Sequence, residues 1–359
     1  MTTTINNEHK KLNVPNLRFP EFQGEWKEYR IEDLTENISS GKCKSHSSNG
    51  EYNLYGSTGI IGKTDEACYE GNLVLVARVG ANAGFLQIIN EPCGITDNTL
   101  IIKPQKVGAQ YIYYYLQHFN LNRLIFGSGQ PLITGGMLKK VKVSLGNIQE
   151  QNKLTRLLSL LDERIATQNK IIDKLQSLIK GIRHDIFKDI QGEVLALSNI
   201  ADIYQPQTIS SSDLTSEGYW VYGANGIIGK YKEYNHETEQ ICITCRGNTC
   251  GTVNYTQPKV WITGNSMVIN TDKYQRQVNK RFLFHYLSSY KFKSIVSGSG
   301  QPQIVRTPLE KIKVVLPTIE KQVRIANSID IVSEKINTES SVLRLLEKQK
   351  QYLFRQMFI

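Results

Sequence analysis

No run in this 359-residue chain is long and apolar enough to span a bilayer, and its opening, MTTTINNEHKKLN, lacks the hydrophobic stretch of a signal peptide. A cytoplasmic protein without a membrane partner is expected. Cysteine is too sparse, at six residues, for a disulfide framework. Acidic residues are outnumbered by basic ones, 33 against 43, and the formal charge of +10 favours a polyanionic partner such as nucleic acid. Apolar and charged residues, at 40% and 21%, are present in the proportions of a folded chain and exclude a disordered one. The length exceeds one ordinary core and suits two domains with additional elements.

The chain repeats itself. Tyr55–Lys63 reads YGSTGIIGK and Tyr222–Lys230 reads YGANGIIGK, an offset of 167 residues. ITDNTLII from Ile95 returns as ITGNSMVI from Ile262 at the same offset, and GSGQP at Gly127–Pro131 returns unchanged at Gly298–Pro302, now 171 residues on. Three matches in one order mark an internal duplication, and the drift in offset is what a loop insertion produces. The period is far too long for a solenoid, so each copy is a domain plus its link to the next. Leu73–Ala77 (LVLVA) and Ile241–Thr244 (ICIT) read as strands. Tyr111–Leu116 and Phe282–Leu287 are aromatic-rich segments, either helix or strand. Each globular part is therefore expected to be α+β.

A different pattern closes each copy. After the strand-like Val141–Leu145, Asn147 is placed to cap a helix, with Glu150 completing a capping box. Apolar residues then alternate at steps of four and three: Leu154, Leu158, Leu161, Ile165, Ile172, Leu175, Ile179, Ile182 and Ile186, with Gln168 in the one polar slot. This is a coiled-coil seam. An offset of 171 carries it onto Ile325, Ile329, Val332, Ile336, Leu343, Leu346, Leu353 and Met357, with polar Glu339 in the slot of Gln168 and a further exception at Lys350. Pro317 and Thr318 mark the second start. The first helix must lead from one domain to the other, and a second that packs on it most simply returns. The expected architecture is two similar domains separated by two long antiparallel coiled-coil helices, pseudo-twofold. Separate packing of each helix on its own domain is the alternative.

GSTGIIGKT at Gly56–Thr64 nearly imitates a phosphate-binding loop, but the required first glycine falls on Ser57, and the second copy ends Lys230-Tyr231 without the hydroxyl. Nucleotide binding is rejected. What remains is a glycine-bounded loop presenting Tyr55, Ser57, Thr58 and Lys63, and in the second copy Tyr222, Asn225 and Lys230, to a DNA backbone. A plain hairpin turn is equally open. Arg78 and Arg246 each follow an apolar run and precede a Gly-x-x-x-Gly loop that adds Asn82 or Asn248. They read as equivalent residues suited to phosphate or guanine, or alternatively to an internal carboxylate. Asn98 and Asn265 match as base or phosphate contacts, or as turn stabilisers. Ser128, Gln130, Ser299 and Gln301 of the GSGQP segments are candidates of the same kind. Cys242, Cys245 and Cys250 would need a fourth ligand for zinc, and their counterparts Val74, Ala77 and Ala83 carry none, so they read as buried thiols.

No catalytic set is evident. A Pro-Pro pair is missing, which excludes the Asn-Pro-Pro-aromatic motif of amino-methylating DNA enzymes, and no histidine recurs at matched positions. LRFPEFQGEW (Leu17–Trp26), the duplicated YG..GIIGK and GSGQP segments, and helices opening Gln-Glu-Gln (Gln149–Gln151) and Glu-Lys-Gln (Glu320–Gln322) resemble the specificity subunit of type I restriction–modification systems. The resemblance runs from about Val14 to the end, with Glu150 replaced by Lys321 in the second copy as a departure. It implies an N-terminal tail over 1–14, target-recognition domains over 15–146 and 189–316, and spacer helices over 147–188 and 317–359. Each domain would read one half of a split asymmetric site in double-stranded DNA, the helices setting the spacing. The implied partners are two methyltransferase subunits and, in the restricting form, restriction–translocase subunits. S-adenosylmethionine, ATP and magnesium belong to those partners, and no cofactor or metal is expected in this chain. The recognition subunit of a type IIB restriction enzyme, a methyltransferase or nuclease of unfamiliar motif, and a coiled-coil scaffold binding only protein are the alternatives.

Overall fold

A computed structural model describes residues 13–43, 47, 49–125, 131–298 and 300–359. The chain divides into two compact units, one running up to Gln168 and including Val342–Ile359, the other Asn169–Ser341. No helix among the described residues is long and apolar enough to cross a membrane.

The first unit runs β1 (Lys27–Arg30), α1 (Ile31–Leu34), β2 (Thr35–Ser40), β3 (Tyr52–Gly56), β4 (Gly59–Thr64), β5 (Asn72–Ala77), β6 (Leu86–Asn90), β7 (Cys93–Ile95), β8 (Thr99–Pro104), α2 (Ala109–Phe119), α3 (Gly135–Lys139) and β9 (Lys142–Leu145), and then enters α4 (Ile148–Lys188). Its strands form sheets of order β2-β8-β5-β6, β4-β3-β7 and β1-β9. The run LVLVA does not alternate because both faces of β5 are covered. Leu73 and Leu75 join Ile89, Ile95 and Ile101, while Val74 and Val76 join the main core with Ile102, Ile112 and Leu116. Burial on both faces is what turns an alternating strand into a continuous apolar one.

The second unit repeats this plan strand for strand. After α4 come β10 (Glu193–Ala196), β11 (Asp202–Tyr204), β12 (Tyr219–Gly223), β13 (Gly226–Tyr231), β14 (Ile241–Thr244), β15 (Val253–Tyr255), β16 (Trp261–Ile262) and β17 (Ser266–Asn270). Then follow α5 (Lys280–Ser289), α6 (Arg306–Glu310), β18 (Lys313–Leu316) and α7 (Ile319–Met357). The sheet orders are β11-β17-β14-β15, β13-β12-β16 and β10-β18, the same three sheets in the same connectivity. The aromatic-rich segments left open by the sequence are helices, α2 and α5. Their apolar residues fall three and four apart, as Tyr111, Ile112 and Tyr115 do, and pack inward.

Two residues separate the last strand from the long helix in each unit. Asn147 caps α4, its Oδ1 accepting from the Glu150 amide at 2.9 Å. The other half of the expected capping box is spent differently. The Glu150 carboxylate, 2% exposed, takes both arms of the Arg18 guanidinium, Nε at 2.7 Å and one terminal nitrogen at 2.8 Å. One step along, the side-chain Nε2 of Gln151 donates to the Gly146 carbonyl at 2.9 Å. Gln322 does the same to the Pro317 carbonyl at 2.9 Å, and its own oxygen accepts the Asn279 amide at 2.8 Å.

The expected seam residues are buried or half-buried along both helices. Each unit holds an antiparallel pair of helix halves. In the first, Leu154 and Leu158 share a core with Met357 and Phe358, and further along α4 Asp162 meets Lys350 at 2.6 Å. In the second, Phe187 packs in the core that holds Ile325 and Ala326, and earlier on α4 Arg183 lies with His285 and Asp330. Arg183 can only donate, so Nδ1 of fully buried His285 is an acceptor, and its Nε2–H donates to Asp330 at 2.7 Å. Arg281 also grips Asp330, with Nε at 2.9 Å. The histidine is neutral, and burial pushes its pKa down to about 4 against the pull of Asp330.

Two outcomes follow from these contacts. Arg18→Ala strands the Glu150 carboxylate in the interior and should destabilise the first unit by about 3–5 kcal/mol, the cost of breaking a buried pair from one side. Denaturant unfolding of the variant checks it, and a loss below about 1 kcal/mol would make the pair a surface contact in all but position. For His285 the folded pKa lies below the unfolded value of about 6.5. The unfolded chain therefore binds a proton first, and stability present near pH 7 is lost as pH falls toward 4. The contribution is up to about 3 kcal/mol. Unfolding at pH 7.5 and pH 5 should show the decline, and His285→Asn should flatten it; equal slopes in the two proteins would place the acid sensitivity elsewhere.

Candidate nucleic-acid interface

In each unit the repeated motifs meet at one polar rim. GSTG is the tip of the β3–β4 hairpin, Gly56 facing Gly59 across Ser57-Thr58, and the second copy places Gly223 opposite Gly226 across Ala224-Asn225. Gly59 and Gly226 adopt φ of +134° and +101°, which keeps side-chain-bearing residues out of those positions. The motif forms a tight hairpin with Ser57-Thr58 or Ala224-Asn225 at its tip. In the first unit the Asn98 carbonyl gathers the rim: it accepts the Ser57 hydroxyl at 3.1 Å and the Arg78 amide at 2.9 Å. The Gly80 amide bonds the Pro131 carbonyl at 3.0 Å, which brings the end of the GSGQP segment alongside. In the second unit the Cys245 amide bonds the Asn265 carbonyl at 3.1 Å, Gly247 bonds Pro302 at 2.9 Å, and the Thr249 hydroxyl reaches Asn225.

The candidates differ in what they leave free. Thr58, Lys63, Asn82, Asn98, Asn225, Arg246, Asn248, Asn265 and Gln301 are exposed, and Ser57, Arg78 and Lys230 are half-buried. Lys230 lies 4.9 Å over the ring of Trp220. The two tyrosines face inward: Tyr55 donates to Glu91 at 2.6 Å, and burial with that carboxylate pushes its phenol up to about 12, while Tyr222 is buried. Ser128, Gln130 and Ser299 lie outside the described residues. Three features escaped the sequence reading. Trp220 backs Lys230, and the tips carry exposed pairs Ile60–Ile61 and Ile227–Ile228. Gln205 lies beside Cys245. The GIIG run appears twice and could have pointed to the isoleucines; Trp220 and Gln205 have no counterpart of their own kind in the first copy.

The two arginines are not equivalent. The bonds around the glycine loop map at an offset of 167, and at 171 for partners beyond the insertion: Gly84 to Ala77 becomes Gly251 to Thr244, and Ile133 to Arg78 becomes Ile304 to Cys245. Bridges Val79–Leu132 and Arg246–Gln303 correspond in turn. Arg78 therefore matches Cys245, and Arg246 matches Val79. The same register makes Leu75, Arg78 and Ala83 the counterparts of the three cysteines, in place of Val74, Ala77 and Ala83. Aligning on the arginine rather than on the glycines slipped the strand by one residue. Cys242 and Cys245 are buried free thiols, and no group of metal-ligating side chains occurs among the described residues.

Comparison with known proteins agrees with this duplicated layout. The family model described as the type I restriction modification DNA specificity domain matches twice, over residues 23–177 and 190–348. A type I restriction enzyme specificity subunit of Methanocaldococcus jannaschii is 26% identical over 334 residues, covering 78% of this chain and 76% of the relative. The type I restriction–modification S subunit from M. genitalium superposes with a TM-score of 0.73 at 18% identity, covering 96% of this chain and 99% of that one. A chain from a structure of type I complex assembly and conformational transition gives a TM-score of 0.55 at 12% identity, over 94% and 98%. With both copies matched, the chain belongs to the type I restriction–modification specificity family, as a DNA specificity subunit that is non-catalytic and carries no cofactor of its own within a type I complex.

Proposed function

We propose that each unit reads one half of a bipartite, asymmetric site in double-stranded DNA, and that the subunit directs two methyltransferase subunits to it, with restriction–translocase subunits in the restricting form. The observation that carries this reading is the repetition of a whole polar rim on the same three sheets. A protein with one contiguous target needs one such rim. The target-recognition domains are assigned to 15–146 and 189–316, the spacers to 147–188 and 317–359, and the location to the cytoplasm. At each rim small polar groups stand at strand ends, a lysine lies further along the same hairpin opposite Asn53 or Trp220, and Gly59 and Gly226 leave the backbone uncovered at the tip, which suits contact with sugar and phosphate. The net charge of +10 adds a long-range attraction to the same partner.

The chain assembled with its methyltransferase partners and S-adenosylmethionine should methylate a motif of two specified halves separated by unspecified bases. Mapping methylated positions on genomic DNA checks this, and one continuous motif would sink it. Lys63 and Lys230 are assigned to phosphates. Lys63→Ala or Lys230→Ala should each reduce the slope of log affinity against log salt by about 0.9 without changing the motif. An unchanged slope with weakened binding would move these lysines from phosphate contact to another role.

A further inference from the structure

The register shift between the two rims has a chemical consequence. At the end of β2 and β11 the ladder pairs Ser40 with Leu100, and extending the register Tyr204–Val268 by one residue brings Gln205 to the level of Met267, so Ser40 and Gln205 stand in the same place. In the first unit a terminal nitrogen of Arg78 points at the Ser40 hydroxyl, 3.5 Å away. In the second, Nε2 of Gln205 points at the Cys245 thiol, 3.3 Å away, and donates to the Gly264 carbonyl at 2.7 Å. One niche is therefore spanned by a long side chain from opposite strands: Arg78 over a serine, or Gln205 over a cysteine. The arginine of the second unit stands one residue further on, at the place of Val79, and borders the niche that Gln205 fills.

Beyond the long contact from Arg78 to Ser40, the guanidinium donors of the two arginines are little used by the fold. The Nε of Arg78 is buried without a hydrogen-bond partner, and among the described residues no carboxylate pairs with Arg78 or Arg246. A half-buried guanidinium with unspent donors is costly unless something outside the chain accepts from it. Arg246 is exposed and lines a cleft of about 320 Å³ with Gln205, Gln303 and Arg306, and Arg306 is already paired with Glu310 at 2.7 Å. By contrast Lys63 and Lys230, and Asn98 and Asn265, recur at matched positions. Residues common to both rims cannot distinguish two different half-sites, whereas residues that change place can.

We propose that Arg78 in the first unit and Arg246 in the second are specificity-determining residues, each presenting its guanidinium to a guanine edge in the major groove of its own half-site. The assignment rests on the reading that each unit contacts one half. A guanidinium fork matches O6 and N7 of guanine, and an ammonium does not. The non-equivalent placement of the two forks makes the guanine fall at a different position relative to the matched lysine contacts in the two halves.

The test maps methylation by the assembled complex on a randomised library, for the wild type and for Arg78→Gln, Arg78→Lys, Arg246→Gln and Arg246→Lys. Each Gln variant should lower preference for one guanine by roughly 5- to 150-fold in one half and leave the other half intact. The Lys variants keep charge and bulk, hence folding, and should relax the same base; they decide the matter if a Gln variant fails to assemble. Four variants that keep the wild-type motif, with only uniform loss of affinity, would overturn the assignment and make both arginines phosphate contacts. A wild-type motif without two separate halves would overturn this assignment together with the reading beneath it.

Discussion

The architecture depends on how little chain separates a strand from a helix. β9 ends at Leu145 and α4 starts at Ile148; β18 ends at Leu316 and α7 starts at Ile319. With two residues between them, the register of the strand fixes the phase of the helix. β1 pairs antiparallel with β9, and β10 with β18, so the first and last strands of each globular part hold each other before the helix leaves. Gln151 and Gln322 then bond the carbonyl of the intervening Gly146 or Pro317. A slip at either junction would turn the apolar stripe of the helix away from its core. The glutamine shared by the two helix openings is thus a folding device, and its recurrence needs no contact with DNA to explain it.

The duplication, both strand runs, the seam and the helix starts were legible because each rests on a strong local period or on a turn residue. The drift in offset was legible as an insertion but not as a structure. It lies between β17 and α5, where a short 3-10 turn at Asp272–Tyr274 has no equivalent in the first copy. Asp272 there accepts from Lys280 at 2.6 Å and from Thr238 at 2.8 Å. The arginine register was lost for a simpler reason. Arg-Val-Gly and Arg-Gly differ by one residue, so matching the charged side chains breaks the match of the glycines, which backbone bonding keeps because they must take positive φ. The capping box was half right because sequence alone could not show that Arg18, 132 residues away from Glu150, competes for the same carboxylate.

Repetition also misleads about which side chains are free. YG..GIIG is the longest shared motif, yet much of it serves the hairpin. A Cβ on Gly56 would lie 2.9 Å from a methyl of Ile61, and one on Gly223 the same distance from Ile228, so both glycines are demanded by the isoleucine that folds over them. Both hairpins carry a register shift at the tyrosine, between Leu54 and Tyr55 and between Val221 and Tyr222. Such irregularities re-aim side chains, and here both tyrosines turn inward. An identical motif in two copies is first a statement about what the backbone requires.

Matching folds do not carry matching chemistry where the domain helix meets the long helices. Tyr114 of α2 and His285 of α5 hold equivalent positions at an offset of 171. Tyr114 donates to Asp162 at 3.0 Å beside Phe354, and Lys350 closes the cluster from above that ring at 5.3 Å. Burial, then the neighbouring Asp162, raises the tyrosine far beyond neutral pH, so nothing in that phenol titrates under acid. His285 instead sits between Arg183 and Asp330 and must stay neutral, because a second proton would face the guanidinium with no acceptor left. Burial alone would raise the Asp330 carboxyl, but bonds from Arg281 and His285 hold it below its usual range. The first junction is held by aromatic area around one ion pair, the second by a hydrogen-bonded network around a histidine. The duplicated fold therefore has two junctions of equal geometry and unequal response to acid, and the more sensitive belongs to the second unit.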